Sequence, residues 1–216
     1  SSLIDRTPFV YECMQFLRFD KTLNCHQLIV FGGDASDCDN TFLPHILQLP
    51  LANLEQLHFD VVPQKTCPVT FKDTTNFEFK RVSAAFCYDT KSDCLFVHGG
   101  YDDNDFSDFL EFSFVTKTWR KLADTTPLGP SSYHSAVYIP KPYDTILFSN
   151  PRDQEHRNNH NQLEMYHVPS QQWKACALMT KLQFDQNRAN YNFPTMRLVC
   201  FYEGTYEVVM VVKDSL

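Results

Sequence analysis

The stretch that most constrains this chain is residues 82 to 122, VSAAFCYDTKSDCLFVHGGYDDNDFSDFLEFSFVTKTWRKL. An apolar segment from Val82 to Tyr88 leads through a polar turn into a second apolar segment that ends in the pair Gly99-Gly100. Phe112 lies on a third segment, and Trp119, seven residues later, opens a fourth. Short β-branched and aromatic runs separated by polar turns read as consecutive strands rather than as helix faces. Each marker has a physical role. A diglycine lets a buried strand end in a tight turn against another backbone, and an aromatic answered by a Trp fills the space between packed sheets.

The same order returns on either side. Aligned on the glycines, Phe19-Asp20 falls on Tyr88-Asp89, and Leu28 to Gly33 (LIVFGG) falls on Leu95 to Gly100 (LFVHGG). This first copy covers about residues 8–62, with strands expected over 9–20, 26–33, 43–51 and 54–61. Leu57 or Phe59 stands where the Trp belongs, and Pro44 and Pro50 must lie near strand ends or exposed edges. Residues 63–80 read as a loop insertion with room for an extra strand, and the central copy covers 81–122. After TTPLGPSS a third copy covers about 133–176: HSAVYIP, the turn KPYD, then TILFSN, with Ser149-Asn150 in the diglycine place. Asn is, after Gly, the residue most at ease with positive φ. Tyr166 and Trp173 repeat the seven-residue spacing. A half copy follows over about 195–214, RLVCFYEGTYEVVMVV, with Lys213-Asp214 in the glycine place.

Strand hairpin, diglycine and aromatic-x6-Trp, twice in register, resemble the kelch-repeat family. The resemblance covers nearly the whole chain and implies a β-propeller, a ring of four-stranded blades around an axis. The fold class is therefore expected to be all-β, a partial kelch-type propeller of three four-stranded blades plus a terminal hairpin, in a single domain over 1–216. The family's rings contain more blades than this, so the resemblance implies completion by missing sequence or by another chain. Alone, such a chain is expected to self-associate or to unfold readily, because open inter-blade faces are apolar. A different all-β fold, a sandwich of about fourteen strands, is the alternative.

Composition limits the function classes. The formal charge is −7, from 26 acidic and 19 basic residues, which disfavours a sequence-independent grip on nucleic acid, since phosphate binding needs a concentrated basic surface. Apolar runs are far shorter than the roughly 20 residues that span a bilayer, and no basic segment followed by an apolar one opens the sequence. The eight cysteines (13, 25, 38, 67, 87, 94, 176, 200) show no CxxC pair. They read as buried or partly buried free thiols of an intracellular, cytoplasmic protein, with Cys87 and Cys94, on adjacent strands of one hairpin, the one pair placed to bridge.

Catalytic and metal motifs fail on inspection. His156 and His160 have the i,i+4 spacing of a helical metal pair, but SNPRDQEHRNNHN has no apolar face to dock a helix and reads as a loop. The run DDNDFSDFLEF imitates a calcium loop, yet Asp108 stands where glycine is needed and Phe114 where the bidentate Glu is needed. Thr118-Trp119 lacks the residues of a sialidase-type aspartate box, and the tyrosines, histidines and cysteines that a kelch-type copper oxidase would gather are not gathered by any spacing here. His98 and His134 read as satisfied histidines near the core or channel. No catalytic residue, metal or cofactor is assigned.

Strand direction locates the remaining candidates. Successive antiparallel strands send every loop between second and third strands to one face, along with the connections between blades. On the first copy that loop carries Asp34, Asp37 and Asp39; on the second, Asp102, Asp103, Asp105 and Asp108. The third offers Arg152, His156 and Arg157, and the insertion brings Lys65, Lys72 and Lys80 to the same face. These residues suggest a protein-protein interaction module, a scaffold or adaptor/substrate-recognition subunit, whose acidic side receives a partner segment rich in Lys or Arg. The alternative is a propeller enzyme, a metal-dependent oxidase or hydrolase with its site in the axial channel.

Overall fold

The computed structural model describes residues 14–31, 45–50, 60–61, 70–71, 81–149, 162–177, 195–202 and 205–211. Every regular element among them is a β-strand. β1 (Met14–Asp20), β2 (Cys25–Phe31), β3 (His45–Pro50) and β4 (Asp60–Val61) form an antiparallel sheet in chain order. Of the strand expected over 54–61, Asp60–Val61 is the described part. Pro50 sits at the last position of β3, where a missing N–H does least harm.

The insertion contributes β5 (Thr70–Phe71). The central sheet then runs β6 (Ala85–Asp89), β7 (Cys94–His98), a small hairpin β8 (Tyr101–Asp102) and β9 (Asn104–Asp105), β10 (Phe109–Ser113) and β11 (Thr118–Ala123). Its spatial order is β5-β11-β10-β7-β6, with β5 added in parallel at the outer edge beside Thr118 and Trp119. The third sheet is β12 (Ala136–Ile139), β13 (Thr145–Ser149), β14 (Gln162–His167) and β15 (Gln172–Ala177), again in chain order. A hairpin of β16 (Thr195–Tyr202) and β17 (Thr205–Val211) follows.

The turns repeat as faithfully as the strands. Asn24, Asp93 and Asp144, each just before the second strand of its sheet, have φ of 50°, 56° and 50°, a conformation that Asn and Asp tolerate best after glycine. Asp20 accepts the Thr22 and Leu23 amides, and Asp89 accepts those of Lys91 and Ser92, so both close the same side-chain-capped turn. Lys117 and Gln171, at φ 56° and 55°, do the same service before the fourth strands.

The seven-residue aromatic spacing is a cross-strand register: Phe112 stands opposite Trp119, and Tyr166 opposite Trp173. Their ring centroids are 5.0 and 5.1 Å apart. All five residues of β7 are buried, because the central sheet is covered on both faces. Leu95 and Val97 join Ala84, Leu110, Phe112 and Trp119 against Phe16 of the first sheet. Cys94, Phe96, Ala85, Cys87 and Phe109 pack against Tyr138, Ile146, Phe148 and Tyr166 of the third. Trp119 is almost wholly buried, whereas Trp173 is partly buried at the border of its cluster. A two-sheet sandwich leaves each sheet one solvent face. A sheet buried on both sides between two others is instead the arrangement of a propeller, and the fold is all-β and propeller-like, in part of a ring.

Cys25, Cys87 and Cys94 are buried free thiols. Cys87 lies opposite Phe96 and Cys94 opposite Asp89, so the two hairpin cysteines are not cross-strand partners. Burial pushes all three thiols upward from their ordinary pKa, which leaves them poorly nucleophilic. Among the described residues no helix is long and apolar enough to cross a membrane.

Candidate protein-binding face

The loop between β7 and β10 projects from the end of the central sheet where β7 leaves the core. Gly99 and Gly100 have φ of 63° and 102°. A Cβ on Gly99 would lie 2.2 Å from the Ser131 carbonyl oxygen, so glycine here lets the connection between the second and third sheets rest directly on the loop. The Gly100 amide donates to that same carbonyl at 2.8 Å, and the Ser131 amide donates to the Phe106 carbonyl at 2.9 Å. Beyond the glycines the chain forms the β8–β9 hairpin, with Asp103 at its tip at φ 61°. Two hydrogen bonds of 2.9 Å tie Val82 to Tyr101, so the loop is fixed at its root to the start of β6.

Arg81 completes the anchor. It is 1% exposed, donates from Nη1 to the Gly99 carbonyl at 2.9 Å and to Asp108 Oδ1 at 2.7 Å, and from Nη2 to Asp108 Oδ2 at 3.1 Å. Its guanidinium lies 4.3 Å from the Phe106 ring centroid. A planar fork that satisfies a carboxylate and a carbonyl while stacking on an aromatic is an arginine function that lysine cannot reproduce.

This geometry divides the expected carboxylates. Asp103 and Asp105 are exposed on the hairpin, and Asp102 is half-buried beside them. Asp108 is paired with Arg81 at 2.7 Å and belongs to the anchor. Tyr101, 41% exposed, stands on the same hairpin, and Tyr133, whose amide donates to the Ser83 carbonyl, is exposed on the adjacent connection. Asp34, Asp37, Asp39, Arg152, His156 and Arg157 lie outside the described residues, as do Lys65, Lys72, Lys80 and His160. Among the described residues no three His, Cys, Asp or Glu side chains converge as a metal site would require.

Beneath the loop, His98 and His134 are joined. His98 Nδ1 lies 2.8 Å from His134 Nε2, and His98 Nε2 lies 2.8 Å from the Thr126 hydroxyl. His98 is wholly buried and His134 nearly so. Burial, followed by the Arg81 charge, pushes His98 down to about 3. Burial and then its neighbour His98 hold His134 well below the ordinary imidazole range. Each histidine alone gives no sequence signal for this pairing, since the residues meet only when adjacent sheets stack. Arg81 was equally silent, a single cation at the head of a strand.

No protein-family model matches the sequence, and no curated protein does. Among solved structures, the chain is similar to a β-propeller-like one titled "Structure of YjhT", with 13% identity and a TM-score of 0.50. The likeness covers 82% of this chain and 52% of that one, so this chain spans about half the length of that structure. At this identity the similarity defines a fold class, propeller-like, and nothing narrower.

Proposed function

We propose that this chain is a kelch-type propeller module that binds a protein partner through the face carrying the β8–β9 hairpin, as a scaffold or an adaptor/substrate-recognition subunit in the cell interior. The observation that carries the reading is the anchored hairpin itself, which holds Tyr101, Asp103 and Asp105 outward on a root fixed by Arg81 and the Ser131 bonds. A loop ordered before binding loses little entropy on docking. Tyrosine is a preferred interface anchor, apolar along its ring and polar at its tip. The adjacent carboxylates favour a Lys- or Arg-rich segment and steer its approach. Further sequence or another chain completes the ring around the module.

The test is titration of the purified chain with labelled Lys/Arg-rich and Asp/Glu-rich peptides across ionic strengths of about 0.05 to 0.5 M. The basic peptides should bind preferentially and weaken with salt. Replacing Asp102, Asp103 and Asp105 together with Asn should lower affinity by about two- to fivefold per charge, the scale of exposed ion pairs. An unchanged affinity with an unchanged salt slope would overturn the reading.

A further inference from the structure

His98, the last residue of β7, and His134, in the connection that leads to β12, meet directly below the anchored loop. Position Gly99, which follows His98, has its would-be Cβ 3.1 Å from His134 Cε1. Thr126, which bonds His98, belongs to the same connection as Ser131, whose carbonyl and amide hold the loop. The imidazole pair therefore joins the two segments that form the face.

The surroundings disfavour a further proton on that pair. A single hydrogen lies between His98 Nδ1 and His134 Nε2; with one on each nitrogen, donor faces donor and the bond is lost. His134 Nδ1 is buried without a well-formed hydrogen bond, and the Ser132 backbone, which favours a proton on this ring, is outweighed by burial and by the neighbouring His98. The groups packed around His98 are Ala85 opposite it on β6, Phe109 of β10, Phe148 of β13 and Trp173 of β15. The charged group acting on it is Arg81, already paired with Asp108. An imidazolium here would be a buried cation beside another cation and apolar rings.

We propose that His98 and His134 form an acid-opened latch beneath the loop face, whose protonation separates the 99–108 segment from the 124–135 connection. In the open form both imidazoles are hydrated and titrate near about 6.5. In the closed form they stay neutral until far lower pH. The open form thus binds protons that the closed form refuses, and opening grows as pH falls below about 6.5, about tenfold per pH unit for each imidazole released. A partner docked on the face would dissociate in the same range; that consequence rests on the binding role proposed above, whereas the latch does not.

Amide hydrogen exchange of the chain without any partner tests the latch, measured from about pH 7.5 to 4.5 and corrected for intrinsic exchange. Protection at Gly100 and Ser131 should fall by about a hundredfold over two pH units below 6.5 for one imidazole released, and more for two. The amides of β7 and β10 should keep theirs. Constant protection at Gly100 and Ser131 overturns the proposal, and so does a parallel loss across β7 and β10, which is global unfolding. A double variant, His98→Gln with His134→Gln, should show no selective acid opening; persistence of opening in it overturns the proposal. If that variant does not fold, ring-carbon NMR of the unaltered chain decides: either ring titrating near pH 6.5 while Gly100 stays protected sinks the latch. Failure of peptide binding with success of the exchange experiment rejects the binding role alone.

Discussion

Arg18 of β1 and Asp93, in the turn before β7, form a two-pronged ion pair between the first two sheets, Nε to Oδ1 at 2.6 Å and Nη2 to Oδ2 at 2.5 Å. Arg18 also donates to Asp20 at 2.9 Å and Gln27 at 2.7 Å, and its guanidinium lies 4.7 Å from the Phe114 centroid. The Tyr88 hydroxyl adds a further bond to Asp93, at 2.6 Å. Removing either partner of a largely buried pair leaves the other charge uncompensated; without Arg18 two carboxylates, Asp93 and Asp20, lose their cation, whereas without Asp93 the guanidinium keeps Asp20. Arg18→Met should therefore destabilise by about 3–5 kcal/mol, and Asp93→Ala by about half as much. Urea midpoints compare the two; equal losses, or the reverse order, would contradict this account of the interface.

The glycines supply an internally controlled comparison. Gly99 and Gly129 have nearly equal φ, 63° and 65°, but a Cβ meets the Ser131 carbonyl at the first and nothing within 4 Å at the second. Gly129→Ala should cost about 1–2 kcal/mol, the strain of a left-handed backbone. Gly99→Ala adds displacement of the connection from the loop, and should lower the melting temperature by clearly more. Equal shifts in thermal melts would mean that the close approach to Ser131 contributes nothing.

What the sequence disclosed was local. The spacing of Phe112 and Trp119, and of Tyr166 and Trp173, is a hairpin register that chain chemistry alone sets. The Gly99-Gly100 pair marks the end of a strand that must touch another backbone, and the half-alternation of β6, with Ala85, Cys87 and Asp89 buried, is a strand pattern within a few residues. What it concealed depends on stacking. Arg18 looks like any strand cation until Asp93, 75 residues away, meets it. Asp108 is indistinguishable by sequence from Asp103 and Asp105, because only Arg81 draws it inward. His98 and His134, 36 residues apart, become one group only when two sheets pack.

Two tyrosine–aspartate bonds, one in the central sheet and one in the third, form a staple that responds to alkaline pH. Tyr88 donates to Asp93 at the foot of the central sheet, and Tyr138 donates to Asp144 at the corresponding turn of the third. Ionising either phenol in place would set a phenolate against a carboxylate in a partly dry site. Burial first, and then the bonded carboxylate, push both phenols up from their ordinary value. Below about pH 10 the folded and unfolded chains both hold these protons, and the contribution to stability is complete. Above it the unfolded chain releases them while the folded chain retains them, so stability falls as pH rises, by about one proton's worth per tyrosine. The urea midpoint should therefore hold steady from about pH 7 to 9 and decline beyond about 10. The double variant Tyr88→Phe with Tyr138→Phe should begin lower, by about 1.5–3 kcal/mol for each charged hydrogen bond lost, yet decline less steeply above pH 10. Parallel alkaline slopes in the two proteins would show that these phenols lose their protons as readily folded as unfolded, and the staple would have to be abandoned.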